Sequence, residues 1–193
     1  MRVVATNGSA RRGGNTERLI AEAFRPLEDA GIECEIVSLA GMGMRGCRAC
    51  WSCGGRKRCV FEDDSFNDVF EKMKEADGII LASPVYTGNI SAGLQAVLER
   101  AAVICDMNRG AKLLSGKAGG CLAVARRGGA LNTLDAMANF FLFQDMFVAG
   151  STYWPIAYGQ MPMDVEQDEE GLATALHLGE NMSLLLKALG ELK

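Results

Sequence analysis

Four cysteines crowd into one short block, Cys47-x2-Cys50-x2-Cys53-x5-Cys59, while Cys34, Cys105 and Cys121 stand alone in apolar surroundings. Thiolates are soft ligands, and three at intervals of three residues can wrap a compact centre that a fourth closes, as in the Cys₄ ligation of a cubane iron–sulfur cluster. Structural zinc more often takes two C-x2-C pairs held apart by a longer segment, which this block does not offer. A loop without metal, or one bearing a disulfide, stays open as the alternative. Arg45, Arg48, Arg56, Lys57 and Arg58 lie among and beside these thiols. They would offset thiolate charge and lower thiol pKa values, which suits a cluster and reactive thiols alike.

A second chemical feature is the run Gly8-Ser9-Ala10-Arg11-Arg12-Gly13-Gly14-Asn15-Thr16. Small residues that open a helix expose backbone N–H groups to an anion, and the helix dipole, the hydroxyls of Ser9 and Thr16 and the charge of Arg11 all favour a phosphate. A plain strand–helix turn capped by Asn15 or Thr16 is the competing reading. The loop lacks the lysine of a Walker A motif, so an NTPase is disfavoured. It also lacks the G-x-G-x-x-G spacing, and the second strand ends Val37-Ser38-Leu39 without the acidic residue of a dinucleotide fold. A mononucleotide phosphate fits better.

Two further loops suit a flat ring. In Ser83-Pro84-Val85-Tyr86-Thr87-Gly88-Asn89, Pro84 fixes the turn, Tyr86 offers an aromatic wall and Gly88 lets backbone approach closely. In Ala125-Arg126-Arg127-Gly128-Gly129 the paired glycines expose N–H groups to a ligand edge, with the arginines readable as a solvated pair. His177, the one histidine, sits between Leu176 and Leu178 in a helical pattern and is not a credible general base.

The elements that must carry these loops follow from hydrophobic periodicity. Buried strands are predicted at 3–6, 34–39, 78–82, 119–125 and 147–153, and helices at 16–29, 65–76, 91–105, 131–145 and 168–192, with Pro26 bending or ending the first helix early. Alternation of this kind means right-handed crossovers and a parallel sheet covered on both faces, here a doubly wound five-stranded sheet of order 2-1-3-4-5. Such sheets bind ligands beyond the carboxyl ends of the strands where the strand order reverses, which is where the three loops fall. The whole chain, 1–193, reads as a single domain with a cysteine-rich loop at 47–59. Residues 159–170 form the only long polar segment.

With 24 acidic against 20 basic residues the net charge is −4, which leaves no global field for nucleic acid. The first residues make too short an apolar run for a signal peptide and no stretch reaches bilayer length, so the expectation is a cytoplasmic chain off the membrane. Phe140, Phe141, Phe143, Met146 and Phe147 make one helix apolar on nearly all sides, which points to a homodimer or homotetramer.

The phosphate loop, the Ser83-Pro84-Val85-Tyr86 run, the cysteine block ending in Asp63-Asp64 and the tail Asp164-Val165-Glu166-Gln167-Asp168-Glu169-Glu170-Gly171-Leu172 together resemble the NADPH-dependent FMN reductase family, and within it the iron–sulfur flavoproteins, over essentially the whole chain. The resemblance implies a flavodoxin-like fold. It implies FMN with its phosphate at Ser9, Arg11, Asn15 and Thr16, and its isoalloxazine at Pro84, Val85, Tyr86, Thr87, Gly88 and the Gly128-Gly129 pair, with Asn89 closing the same loop. It also implies a 4Fe–4S cluster on Cys47, Cys50, Cys53 and Cys59. The activity expected is FMN-dependent electron transfer from NAD(P)H or a ferredoxin-type donor to a small-molecule or protein acceptor, with the flavin N5 carrying the chemistry and no catalytic side chain. A cluster-free NAD(P)H-dependent flavin or quinone reductase, and a redox-sensing carrier of little turnover, are the alternatives. Family members often carry a second aromatic directly after the tyrosine, where this chain has Thr87.

Overall fold

The computed structural model describes residues 1–192. Strands β1 (Arg2–Asn7), β2 (Glu33–Ser38), β3 (Gly78–Pro84), β4 (Ala118–Ala125), β5 (Phe147–Val148) and β6 (Ile156–Tyr158) alternate with helices α1 (Asn15–Asp29), α2 (Phe66–Glu75), α3 (Ala92–Met107), α4 (Ala130–Phe143) and α5 (Glu169–Glu191). All pairs are parallel and the order is β2-β1-β3-β4-β5, as predicted. The predicted fifth strand is corrected in one respect. Residues 147–153 do not form one strand: β5 pairs with the start of β4 and β6 with its end. The intervening chain leaves the sheet, and Tyr153 and Trp154 stand exposed on it. Alternation of apolar residues extended the predicted strand past Gly150-Ser151, where the pairing stops.

β4 shows why helices cover both faces. Its residues are buried throughout. At Gly119 an added Cβ would lie 2.8 Å from the Phe141 ring of α4, and at Gly120 2.7 Å from Met182 Sδ of α5. One glycine therefore seats each layer. The core divides accordingly: α2, α3 and α4 pack on one face around Phe66, Phe70 and Phe141, and α1 and α5 on the other around Leu19, Leu27 and Leu178. Each of these large side chains, fully buried, contributes about 1.5–3 kcal/mol.

Of the two outcomes expected at Pro26 the early end does not occur, since Pro26 lies inside α1, which runs on to Asp29. A proline there removes one helical hydrogen bond, but its ring packs where α1 crosses α5 at Gly179. A Cβ on Gly179 would run into the Ala23 carbonyl, so the tertiary crossing outweighs the local preference. Among the described residues no helix is long and apolar enough to cross a membrane.

Candidate functional site

The loops after β1 and β3 converge. Ser9, Arg11, Asn15 and Thr16 line one cavity of about 160 Å³ with Pro84, Val85 and Tyr86. Gly14 of the same phosphate run also lines it, whereas sequence reasoning missed the rest of the wall, which is Val124, Arg126, Gly159, Gln160 and Pro162. Arg126 had a signal as part of a cationic pair, and Gly159 and Gln160 open the long polar segment. Through Arg126, Gly159 and Gln160 the cavity continues into a shallower cleft of about 630 Å³ that also holds Arg127 and Tyr158. The two together are the size of a nucleotide site.

The phosphate loop is built by short-range bonds. Ser9 N–H donates to Asn7 Oδ1 (2.9 Å), and Arg11 N–H donates to Ser9 Oγ (3.1 Å). Gly14 is the N-cap of α1 and carries no side-chain cap, so the first-turn N–H groups are free for an anion. Asn7 is fully buried, and its Nδ2 has no partner among the described residues. A leftover buried donor beside a phosphate loop fits an anionic group there. Two of the predicted phosphate residues are engaged by the polar segment: Asn15 Nδ2 donates to the Met161 carbonyl (2.8 Å) and Arg11 Nη1 to that of Gln160 (3.4 Å).

Thr87, Gly88, Asn89, Gly128 and Gly129 do not line the cavity. Tyr86 and Asn89 exchange both backbone hydrogen bonds across a two-residue turn in which Thr87 has φ 53° and Gly88 φ 75°. That is the turn type for which Asn-Gly is favoured, and a β-branched residue is strained in it. Thr87→Asn is expected to raise stability by about 0.5–1.5 kcal/mol. A thermal melt checks this, and a lowered Tm would show that Thr87 is held by contacts rather than strained. Gly129, at φ 88°, abuts this turn.

The cysteine block forms a second site on the flank of α3. Cys47, Cys50, Cys53 and Cys59 line one pocket with Trp51, Phe61, Arg100, Val103 and Ile104. Burial pushes the Cys53 thiol up, with the neighbouring Cys47, Cys50 and Cys59 adding to it. The exposed Cys50 is held below the ordinary thiol value by the N–H and hydroxyl of Ser52. Elsewhere burial makes thiols inert, with Cys34 and Cys105 pushed up to about 12 and Cys121 higher than usual. Among the described residues no group of three or more His, Cys, Asp or Glu side chains is close enough to hold one metal ion. What the pocket offers is four thiols on one wall, a soft donor set of the kind that iron–sulfur clusters use.

Behind this pocket Asp64 and Arg100 form a buried ion pair of 2.5 Å, with side chains 2% and 4% exposed. Burial alone would raise the Asp64 carboxyl. The N–H groups of Arg45 and Phe66 and the Arg100 guanidinium outweigh it and hold it below the usual carboxylate range. A lowered folded-state pKa contributes stability that is present above the unfolded value near 4 and is lost as pH falls through the folded one. The Tm gap between wild type and Asp64→Asn should therefore be constant above about pH 5 and narrow below about pH 4. A gap that widens on acidification would contradict the assignment.

Comparison with known proteins gives a consistent picture. The family model described as NADPH-dependent FMN reductase matches residues 1–160. An iron–sulfur flavoprotein of Methanocaldococcus jannaschii is 38% identical over 194 residues, covering 97% of this chain and 98% of that protein. An iron–sulfur flavoprotein of Methanosarcina thermophila is 30% identical over 191 residues, covering 97% and 96%. Among solved structures, the flavodoxin-like WrbA-like protein from Agrobacterium tumefaciens superposes with a TM-score of 0.62 at 19% identity, covering 97% of both chains. That likeness confirms the flavodoxin-like fold.

Proposed function

The chain belongs to the NADPH-dependent FMN reductase family, and on that premise we propose that it is an iron–sulfur flavoprotein that takes electrons from NAD(P)H or a ferredoxin-type protein and passes them to a small-molecule or protein acceptor. The observation that carries this reading is the meeting of the phosphate loop and the β3 loop in one cavity at the carboxyl ends of the strands, with four thiols gathered round a second pocket beside α3. Ser9, Arg11, Asn15, Thr16 and the α1 first-turn N–H groups hold the FMN phosphate. Pro84, Val85, Tyr86, Thr87, Gly88, Asn89, Gly128 and Gly129 shape the bed of the ring. Cys47, Cys50, Cys53 and Cys59 ligate a 4Fe–4S cluster.

When bound, FMN supplies two-electron and one-electron transfer at N5 and the cluster supplies one-electron transfer. The side chains bind and orient. Arg11 and Asn15 reach the phosphate by exchanging their bonds to the Gln160 and Met161 carbonyls, which couples the polar segment to flavin occupancy. Tyr86, 43% exposed, stands at the mouth of the cavity and screens one edge from water. No side chain is needed as nucleophile or general acid. His177 lies away from both pockets and pairs with Glu180 at 2.7 Å.

The same reading extends to the assembly. Phe140, Phe141 and Met146 are buried within the chain, whereas Leu142, Phe143 and Phe147 are 64%, 63% and 51% exposed. Exposed apolar side chains of this kind support a homodimer or homotetramer.

The phosphate loop makes FMN distinguishable from riboflavin. A charge-assisted phosphate contact of about 3 kcal/mol corresponds to roughly a hundredfold in affinity. Fluorescence titration of the flavin-free chain is expected to give FMN binding at least that much tighter than riboflavin. Equal affinities would rule out the phosphate role of residues 9–16.

A further inference from the structure

We propose that Arg100 is the positioning residue of the cysteine site, pinning both ends of the cysteine loop to α3 and placing a permanent positive charge beside the four thiolates. The inference rests on reading those thiols as cluster ligands and adds a residue that lies outside the cysteine motif.

Four observations converge on it. Arg100 is the only cation buried among the described residues, and it lines the same pocket as the four cysteines. Its Nη1 donates to the carbonyl of Arg45 and its Nη2 to that of Phe61, each at 3.4 Å. Those positions lie two residues before the first cysteine and two after the last, so a single guanidinium closes the stem of the loop. Asp64 completes the closure, accepting from Arg100 at 2.5 Å and from the N–H groups of Arg45 and Phe66 at 3.0 and 3.2 Å. Finally, the guanidinium stacks on the Phe66 ring at 4.0 Å, which fixes the plane of its fork.

A buried ion pair is commonly no more stabilising than apolar residues of the same volume, because both charges must be desolvated. The flavin cavity does not use Arg100. The other cations of the block are solvent-facing: Arg56 and Lys57 are exposed, and Arg45, Arg48 and Arg58 are all more than half exposed and face Asp63 or Glu62. A surface charge is screened by water, whereas a buried one acts at low effective dielectric on a nearby cluster. Arg48 also lines the cysteine pocket, from its solvent side, so Arg100 is the buried cation of that wall, with Asp64 as its counter-charge. Its planar fork also reaches the Arg45 and Phe61 carbonyls and Asp64 together, which a lysine ammonium cannot do in the same geometry.

The test uses the full chain, reconstituted anaerobically with iron and sulfide, in wild type, Arg100→Lys, Arg100→Met and the double variant Arg100→Met/Asp64→Leu. Iron and sulfide per chain are expected to fall severalfold in Arg100→Met and less in Arg100→Lys, with FMN content equal throughout. The potential of the cluster that remains should move to more negative values in Arg100→Met, stay near wild type in Arg100→Lys, and return toward wild type in the double variant, where opposite charges leave together. A purely structural role would lower occupancy without moving the potential, and so would overturn the electrostatic half. Full iron content in Arg100→Met overturns the whole inference. If Arg100→Met yields no soluble chain, full iron content in Arg100→Lys overturns it instead. A wild-type chain that takes up FMN but no iron overturns the cluster reading and this inference with it, whereas iron in wild type and unchanged variants overturn this inference alone.

Discussion

Gly129→Ala is expected to lower stability by about 2–5 kcal/mol, adding left-handed strain to overpacking, and to weaken FMN binding about a hundredfold. Gly129 holds φ 88°, a conformation that costs an L side chain energy anywhere. Here the new methyl would also lie 2.8 Å from the Gly88 Cα and 3.0 Å from Val85 Cγ1. Backbone is the obstacle, so the β3 and β4 loops must separate, and those loops form the proposed bed of the ring. Gly128 gives the control: an added Cβ there meets nothing within 4 Å and needs no positive φ. Gly128→Ala should bind FMN within a few-fold of wild type. Flavin titration of both variants checks the pair. Equal affinities for the two would show that the contact between Gly129 and Gly88 does not set the ring site.

Cys53→Ser is expected to remove nearly all bound iron and leave the flavin in place. Cys53 is the most enclosed of the four thiols, at 7% exposure, and its carbonyl is held by Asn108 Nδ2 at 3.0 Å, so its position is fixed by the fold. A hydroxyl is a poor substitute for a thiolate on iron, and burying it without a partner costs about 1–3 kcal/mol. For a chain of this size that means a Tm lower by roughly 2–10 °C. None of the four cysteines lines the flavin cavity, so FMN per chain should stay unchanged. Iron analysis beside flavin absorbance measures both. Retained iron would contradict ligation by this residue, and loss of both cofactors together would mean that the two sites are not separable.

Much of this was legible in the sequence. The strand order followed from the alternation of short apolar runs with helical patterns, because parallel pairing and right-handed crossovers leave few topologies. The predicted site loops followed from that order. Less legible was whatever depends on partners distant in sequence. Gly150-Ser151 carries no stronger turn signal than the other strand boundaries, and only the register against β4 shows that pairing lapses there and resumes at Ile156. That Pro26 would not end its helix early was hidden, because its local cost is visible in sequence and its packing against Gly179 is not. Arg126, Gly159 and Gln160 were missed as cavity walls because a cationic pair and a polar run read equally well as solvated surface. Arg100 had no signal at all: it sits in an apolar helix, and its role emerges only where Asp64 and the two ends of the cysteine loop meet it.

The central claim is that one chain carries both a flavin and a cubane cluster. Purification under strict exclusion of oxygen, followed by optical and EPR spectra of the oxidised and dithionite-reduced protein with iron and sulfide analysis, tests both at once. The account predicts one FMN per chain, four irons and four sulfides, and a reduced-state signal of an S = ½ cluster that Cys53→Ser abolishes. Flavin without iron would leave a plain flavin reductase, and a colourless protein that takes up no added FMN would contradict the account at its root.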